Sequence, residues 1–367
     1  AFEPKRVGLQ TAVMLPSLVG SGPQPLNLFS APTQRSAIVY RTVDGHGELA
    51  ELWLPSWASA ERQSGAILLV LGVNNVGRNH PVVVRVADAL ARTGAAVLVP
   101  DSRALLEGRL EVEEIDGVVR AFEALAARPE VDPDRIGIAG FSVGGSLSLL
   151  AARDPRIAGR MRWVNAFGAY ADAATYLAAV SAHAYRNADG SIVPWEPSPL
   201  ARQIHLQFLL SQVDDVSDRE ALDAALRQPI LDGLHPPPDA SLRANLRTEA
   251  ARTILGLLTA QTLDTATAAI GALPPDSLAF IDAISPVRHL DGLVADIFVM
   301  HETTDHHVPI VESRALAAAL EPTGLLRTYS EFRLFDHVQP DNVDFLAAAP
   351  ELVKLRLHVR TLMEETL

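Results

Sequence analysis

Residues 135–152 read R-I-G-I-A-G-F-S-V-G-G-S-L-S-L-L-A-A, and the rest of the chain is organised around them. Ile136, Ile138 and Ala139 form a short apolar run that suits a buried strand, and an Ala/Leu-rich segment with helical character follows. Between them, Gly140-Phe141-Ser142-Val143-Gly144-Gly145 sets a serine among glycines at the strand-to-helix junction. The spacing G-x-S-x-G recurs by chance in an Ala-rich chain. With a strand before it and a helix after it, the pattern fits a nucleophile elbow, a turn so tight that only glycine fits beside the serine. Such a turn lifts the hydroxyl clear of the sheet.

The chain has 367 residues, 48% hydrophobic and 20% charged, enough for a sizeable core. Its net charge of −13, with no long basic run, argues against nucleic acid or an anionic membrane as the main partner. Cysteine is absent, which excludes disulfides, Cys–metal sites and a Cys nucleophile. No run of 18 apolar residues occurs. A soluble, cytoplasmic chain is the expectation, although a start at Ala1 is also what removal of a leader or anchor leaves behind.

Residues 1–35 read as an N-terminal arm whose apolar stretch Val7–Val19 forms a helix packed on the body or, alternatively, a membrane-proximal element. Ser36–Arg41 and Glu48–Leu54 flank Asp44-Gly45-His46-Gly47 as an antiparallel hairpin. Strands at Ala66–Leu71 and Ala96–Val99 then alternate with helices at Val82–Thr93, closed by Gly94, and at about Glu111–Arg128. A further strand is expected at Arg162–Phe167. This alternation predicts an α/β fold, a mostly parallel doubly wound sheet with helices on both faces. It stops between 168 and 284, where the pattern is helical with almost no strand signal. Ser198-Pro199 there reads as a helix start, and Ser217 to Glu220 has capping-box spacing. The block reads as a helical cap inserted into a core of residues 36–167 and 285–367. Strands near Ala295–Met300 and Arg327–Leu334, with helices near Val311–Leu320 and from Pro350, resume the rhythm.

A serine hydroxyl needs a base, and the base needs an orienting group. In open parallel sheets such groups gather on loops at the carboxyl ends of strands. Two such loops follow the elbow: His301-Glu302-Thr303-Thr304-Asp305-His306-His307-Val308-Pro309 and Phe335-Asp336-His337-Val338.

Serine, then an acid after a late strand, then a histidine after the last one resembles the α/β-hydrolase superfamily. The segments P-E-V-D-P-D-R-I-G-I-A-G-F-S-V-G-G and M-H-E-T-T-D-H-H-V-P look most like its dienelactone-hydrolase-like and prolyl-oligopeptidase-like serine hydrolases. The resemblance covers roughly 36–167 and 285–345, leaving out cap and arm. It implies the α/β-hydrolase fold, with Ser142 as nucleophile, His337 as base and Asp305 as the acid. Glu302 and Asp336 compete for the acid's role, and His306 and His307 for the base's. The oxyanion needs two N–H donors. Val143 supplies one. Val73 is expected to supply the other, where relatives carry His-Gly and this chain has Leu71-Gly72; Asn74 is its competitor.

His301-Glu302-x-x-Asp305 imitates a zinc motif, but that motif needs a helix, and here a strand precedes Thr-Thr. No metal or other cofactor is expected. The reading is a serine esterase with an Ala/Leu-rich cap over an apolar small-molecule ester. A peptidase or amidase, an acyltransferase and a non-catalytic binding scaffold are its rivals. Oligomeric state leaves no mark in the sequence.

Overall fold

A computed structural model describes all residues except 1–2, 21–23, 43–44 and 341–347. Helix α1 (Glu3–Val19) and the short α2 (Leu26–Phe29) precede strands β1 (Gln34–Arg41) and β2 (Gly47–Leu54). These two strands pair antiparallel, as the alternation around Gly45 predicts; Asp44 of their turn and Ser21-Gly22-Pro23 of the arm lie outside the described residues. Then come β3 (Ser64–Val70), α3 (Pro81–Thr93), β4 (Ala96–Pro100), α4 (Arg103–Leu106), α5 (Glu114–Ala126), β5 (Val131–Phe141), α6 (Val143–Ala151) and β6 (Met161–Phe167). The sheet has eight strands in the order β1-β2-β4-β3-β5-β6-β9-β10, with β9 at Asp296–Glu302 and β10 at Leu326–Phe332. From β4 to β10 all neighbours are parallel.

Every residue of β3 is buried, because helices cover both faces of the central strands. Side chains alternate between those faces. Leu68, Ile138 and Val164 join the core packed on α5 and α6, whereas Ile67, Leu69, Ala139 and Trp163 face α1, α3 and the last helix, α15 (Ala349–Thr366). Local chemistry sets the element ends. Pro81 sits in the first turn of α3, His80 accepts from Val82 N, and Gly94 ends the helix at φ 117° with its N–H on Leu90 and Ala91 carbonyls. No helix among the described residues is long and apolar enough to cross a membrane.

Between β6 and β9 the chain is mostly helical: α7 (Ala173–Ala182), α8 (Pro199–Ser211), α9 (Val216–Leu231), α10 (Ala240–Asn245), α11 (Glu249–Leu258), α12 (Leu263–Gly271) and α13 (Pro275–Ala283). Ser198 caps α8 through Ala201 N, as expected. Two details differ from the sequence reading. A small hairpin, β7 (Ala184–Arg186) with β8 (Ile192–Pro194), turns where Asp189 accepts from Ser191 N and Ser191 Oγ. Its three-residue strands are too short to leave an alternation. The cap of α9 is Asp215, not Ser217, because the Asp215 carboxylate reaches Asp218 N at 2.9 Å. The Asp218 carboxylate accepts from the N–H groups of Arg247 and Thr248, in the link between α10 and α11.

The insertion is tied to the sheet through helix α14 (Ile310–Leu320). Buried Glu312 accepts from Ala171 N, Asp172 N and Thr175 Oγ1 at 3.0, 3.1 and 2.7 Å. Burial raises its carboxyl to about 7, against the hydrogen bonds that favour the anion. The folded chain therefore binds a proton between pH 4.5 and 7 that the unfolded chain has lost, and stability falls as pH rises through that window. Thr175 Oγ1 also lies 2.9 Å from Asp172 O, so it can donate there and accept from a neutral side chain at 312. Glu312→Gln is expected to remove this loss, up to about 3 kcal/mol. Urea denaturation at pH 5 and pH 7 checks it; an unchanged pH dependence contradicts it.

Candidate active site

Strand β5 ends at Phe141, and Ser142 takes φ 54° and ψ −130° before α6 begins. That strained geometry costs a non-glycine residue about 1–3 kcal/mol. It is held by Ser142 N donating to Phe167 O at 2.7 Å and Gly145 N to Ser142 O at 2.8 Å. Two close approaches explain the glycines. A Cβ on Gly140 would stand 2.5 Å from Gly144 O, and one on Gly72 would stand 2.8 Å from Ser142 Cβ. The loop after β3 therefore lies directly against the serine.

Asp305 and His337 come together from different elements. His337 occupies the two-residue tip between β11 (Phe335–Asp336) and β12 (Gln339–Pro340), at φ 58°. Its Nδ1 donates to Asp305 Oδ2 at 2.5 Å. Nε2 is left as the acceptor nitrogen, buried and without a partner among the described residues. His337 and Ser142 line the same cavity, which has a volume of about 630 Å³. The ring rests beside Gly168, the residue after β6, where a Cβ would meet His337 Cε1 at 2.9 Å.

The Asp305 carboxylate is saturated. Oδ1 accepts from His307 N at 2.6 Å and Val308 N at 3.0 Å. His301 Nε2 donates to Val308 O at 2.9 Å and lies 3.3 Å from Asp305 Oδ2. Burial works to raise the carboxyl's pKa, but the charge of His337 and hydrogen bonds from His301 and His337 win and hold it well below the usual range. Asp305 is thus held in its ionised form at neutral pH.

The competing residues have other partners. Glu302 Oε2 accepts from Leu334 N at 2.7 Å and Phe335 N at 3.0 Å, bracing the segment that leads to His337. Asp336 is exposed. His306 Nδ1 donates to Glu196 O at 2.8 Å. His307 stacks on His337 with ring centroids 4.7 Å apart and planes 13° from parallel. Burial, and then the neighbouring His337, lower His307 to about 4, so it stays neutral at pH 7.

Asn74 spends its side chain on its own loop, donating to Gly72 O and accepting from Val76 N and Gly77 N. The Val73 and Val143 N–H groups have no acceptor among the described residues. Val73 and Val143 line the cavity beside Ser142.

Asp305, His307 and His337 also bring three potential metal-ligand atoms within 4.8 Å of one another. They do not suit an ion. Imidazole lone pairs lie in the ring plane, so two nearly parallel stacked rings cannot aim at one point, and the carboxylate already holds its donors.

Sequence reasoning missed the clamp from the helical insertion. Trp195 Nε1 donates to Asp305 O at 2.7 Å, and Ser198 N to His306 O at 2.6 Å. It also took His301 only as part of a false zinc motif, whereas the structure places it against Asp305. The four-residue spacing was the available signal, since both ends of the β9 loop must converge.

No family model and no curated protein sequence matches this chain. Among solved structures, it is similar to the acylaminoacyl peptidase of Pyrococcus horikoshii (TM-score 0.52, 12% identity, 92% of this chain and 42% of that one). A puromycin-hydrolysing peptidase of Mycobacterium tuberculosis aligns at TM-score 0.51 and 15% identity, over 91% and 39%. The dipeptidyl peptidase 4 of Porphyromonas gingivalis aligns at 0.50 and 15%, over 89% and 36%. The chain thus spans about two-fifths of the length of these structures. At such identities the likeness carries the fold, which is the α/β-hydrolase fold.

The Glu302 brace has a direct test. Glu302→Ala leaves the buried Leu334 and Phe335 amides unpaired and is expected to cost about 1–3 kcal/mol for each. Urea denaturation reads the loss; wild-type stability in the variant contradicts the brace.

Proposed function

We propose that this α/β-hydrolase-fold chain is a serine hydrolase and that its substrates are carboxylic esters. The observation that carries the reading is the buried, partnerless Nε2 of His337, oriented through Nδ1 by Asp305 and sharing a cavity with the elbow serine. A binding scaffold has no use for an ionised carboxylate buried behind a histidine whose free nitrogen faces no partner.

In the mechanism this supports, Ser142 Oγ attacks the substrate carbonyl while His337 Nε2 takes its proton. Asp305 keeps the proton on Nδ1 and stabilises the imidazolium that forms. The Val143 and Val73 N–H groups face the oxyanion. His337 returns its proton to the departing alkoxide, and water admitted to the acyl-enzyme repeats the sequence with His337 as base. His307, neutral and stacked on His337, shields one face of the ring from solvent. The insertion supplies Tyr176, Leu200, Ile204 and Phe208 to the cavity wall, an apolar surround that strengthens each charge interaction inside.

Apolar lining supports an ester over a charged peptide. Arg109 and Glu111, two charged residues of the wall, pair with each other and so offer no free clamp for a peptide terminus.

Turnover of nitrophenyl esters by wild type and variants tests the reading. Asp305→Asn is expected to lower kcat by about 10³–10⁴-fold through the wrong tautomer, and Ser142→Ala to abolish the acyl-enzyme. Glu302→Gln retains far more activity than Asp305→Asn. Survival of ester turnover in Ser142→Ala contradicts the mechanism. Faster cleavage of a matched amide than of the ester moves the substrate class to peptides.

A further inference from the structure

The cavity at Ser142 has two arms. One lies under the helical insertion, against Tyr170, Tyr176 and Phe208. The other descends along the face of the sheet that carries α1, α3 and α15, and the mechanism makes no use of it. Its floor is built by alternate residues of the central strands and their ends: Ile67 and Leu69 on β3, Leu71 just after it, Ala139 and Phe141 on β5, and Trp163 on β6. Its roof is Val83, Val86 and Leu90 of α3 and Val359, Leu362 and Met363 of α15, with Leu18 of α1. All of these belong to, or pack against, the apolar cluster on that face. Helices and sheet leave space between them here, and it belongs to the same cavity that Ser142 lines.

The arm's chemistry is uniform. None of these residues is charged. Asn165 is a polar side chain on the floor, and its Oδ1 accepts from His358 Nε2 at 2.8 Å. His358 Nδ1 in turn accepts from Ser330 Oγ at 3.0 Å. Burial lowers His358 to about 4, so the chain of three is neutral at pH 7. At the far end stands Trp163, with its ring on Gly137 and its indole N–H donating to Thr366 Oγ1 at 3.1 Å. Ile67 and Trp163 pair in register with Gly137, five residues before Ser142, so the arm reaches about 17 Å at roughly 3.3 Å per residue. An extended alkyl chain advances about 1.25 Å per methylene.

We propose that this arm binds one linear aliphatic chain of the substrate, about a dozen carbons long, with the scissile carbonyl at Ser142. The proposal rests on the ester-hydrolase reading and narrows its substrate to long-chain esters. A passage between the sheet and helices α1, α3 and α15, lined by apolar side chains along one line of strand residues, suits an alkyl chain. Its neutral walls offer nothing to a sugar or a charged peptide.

Two ester series and one titration test the proposal. One series runs from the acetate to the palmitate of nitrophenol, and the other from methyl to dodecyl acetate, so that either side of the ester can carry the chain. In one of them kcat/KM is expected to rise by up to about fourfold per added methylene and to level off near a dozen carbons. Val86→Trp, which fills the arm, lowers the long-chain-to-acetate ratio of kcat/KM at least tenfold. Calorimetric titration of the Ser142→Ala protein with dodecanoate and with butyrate reads binding without turnover, and carries the test alone if Val86→Trp does not fold. Binding of dodecanoate but not butyrate is the expected result, and it upholds the chain site even if no ester is turned over, in which case the ester reading falls. Esters cleaved without length dependence in either series, with no dodecanoate binding, overturn the chain site and leave the hydrolase reading standing.

Discussion

Burying a carboxylate costs several kcal/mol unless its oxygens are hydrogen-bonded, and Asp305 meets that demand with groups from separate parts of the chain. Its own loop contributes the His307 and Val308 amides, β9 contributes His301, and the β11–β12 tip contributes His337. Its main-chain carbonyl then accepts Trp195 from the helical insertion. Removing the Asp305 carboxylate would leave the His307 and Val308 amides and His337 Nδ1 to find new partners. Loop and histidine tip are therefore positioned by one saturated charge, and that charge, by holding the proton on Nδ1, leaves His337 Nε2 as the acceptor nitrogen.

The same bonds couple the insertion to the chemistry. Trp195 and Ser198 hold the acid loop, and Glu312 holds the start of α7 from the opposite side. The insertion is thus anchored to the sheet side of the cavity at two places, near its start and at Trp195 and Ser198. Ionisation of Glu312 strengthens the hydrogen bonds it accepts but carries the desolvation cost of a buried charge, so the pH dependence falls on the stability of the whole fold.

The α/β alternation and the elbow were legible because their physics is local. A run such as Ala66–Val70 is buried on both faces and carries its own signature, and Gly140 is required by contacts with Gly144 and Gly145 a few residues on. Asp305 over Glu302 was legible only through family resemblance. The structural difference between the two is that Asp305 accepts from His337 whereas Glu302 accepts from main-chain amides some thirty residues on, and no periodicity encodes that. The Trp195 clamp spans 110 residues, and the arm beneath the sheet comes from three helices distant in sequence. Contacts of that range leave no mark on a neighbouring residue.

A crystal structure of the protein after reaction with an alkyl fluorophosphonate tests the central claim most directly. The account predicts phosphorus bonded to Ser142 Oγ, the phosphonyl oxygen within hydrogen-bond distance of the Val73 and Val143 amides, and His337 Nε2 against the serine with Asp305 still behind it. An adduct on any other residue, or one on Ser142 with His337 turned out of reach, would contradict it.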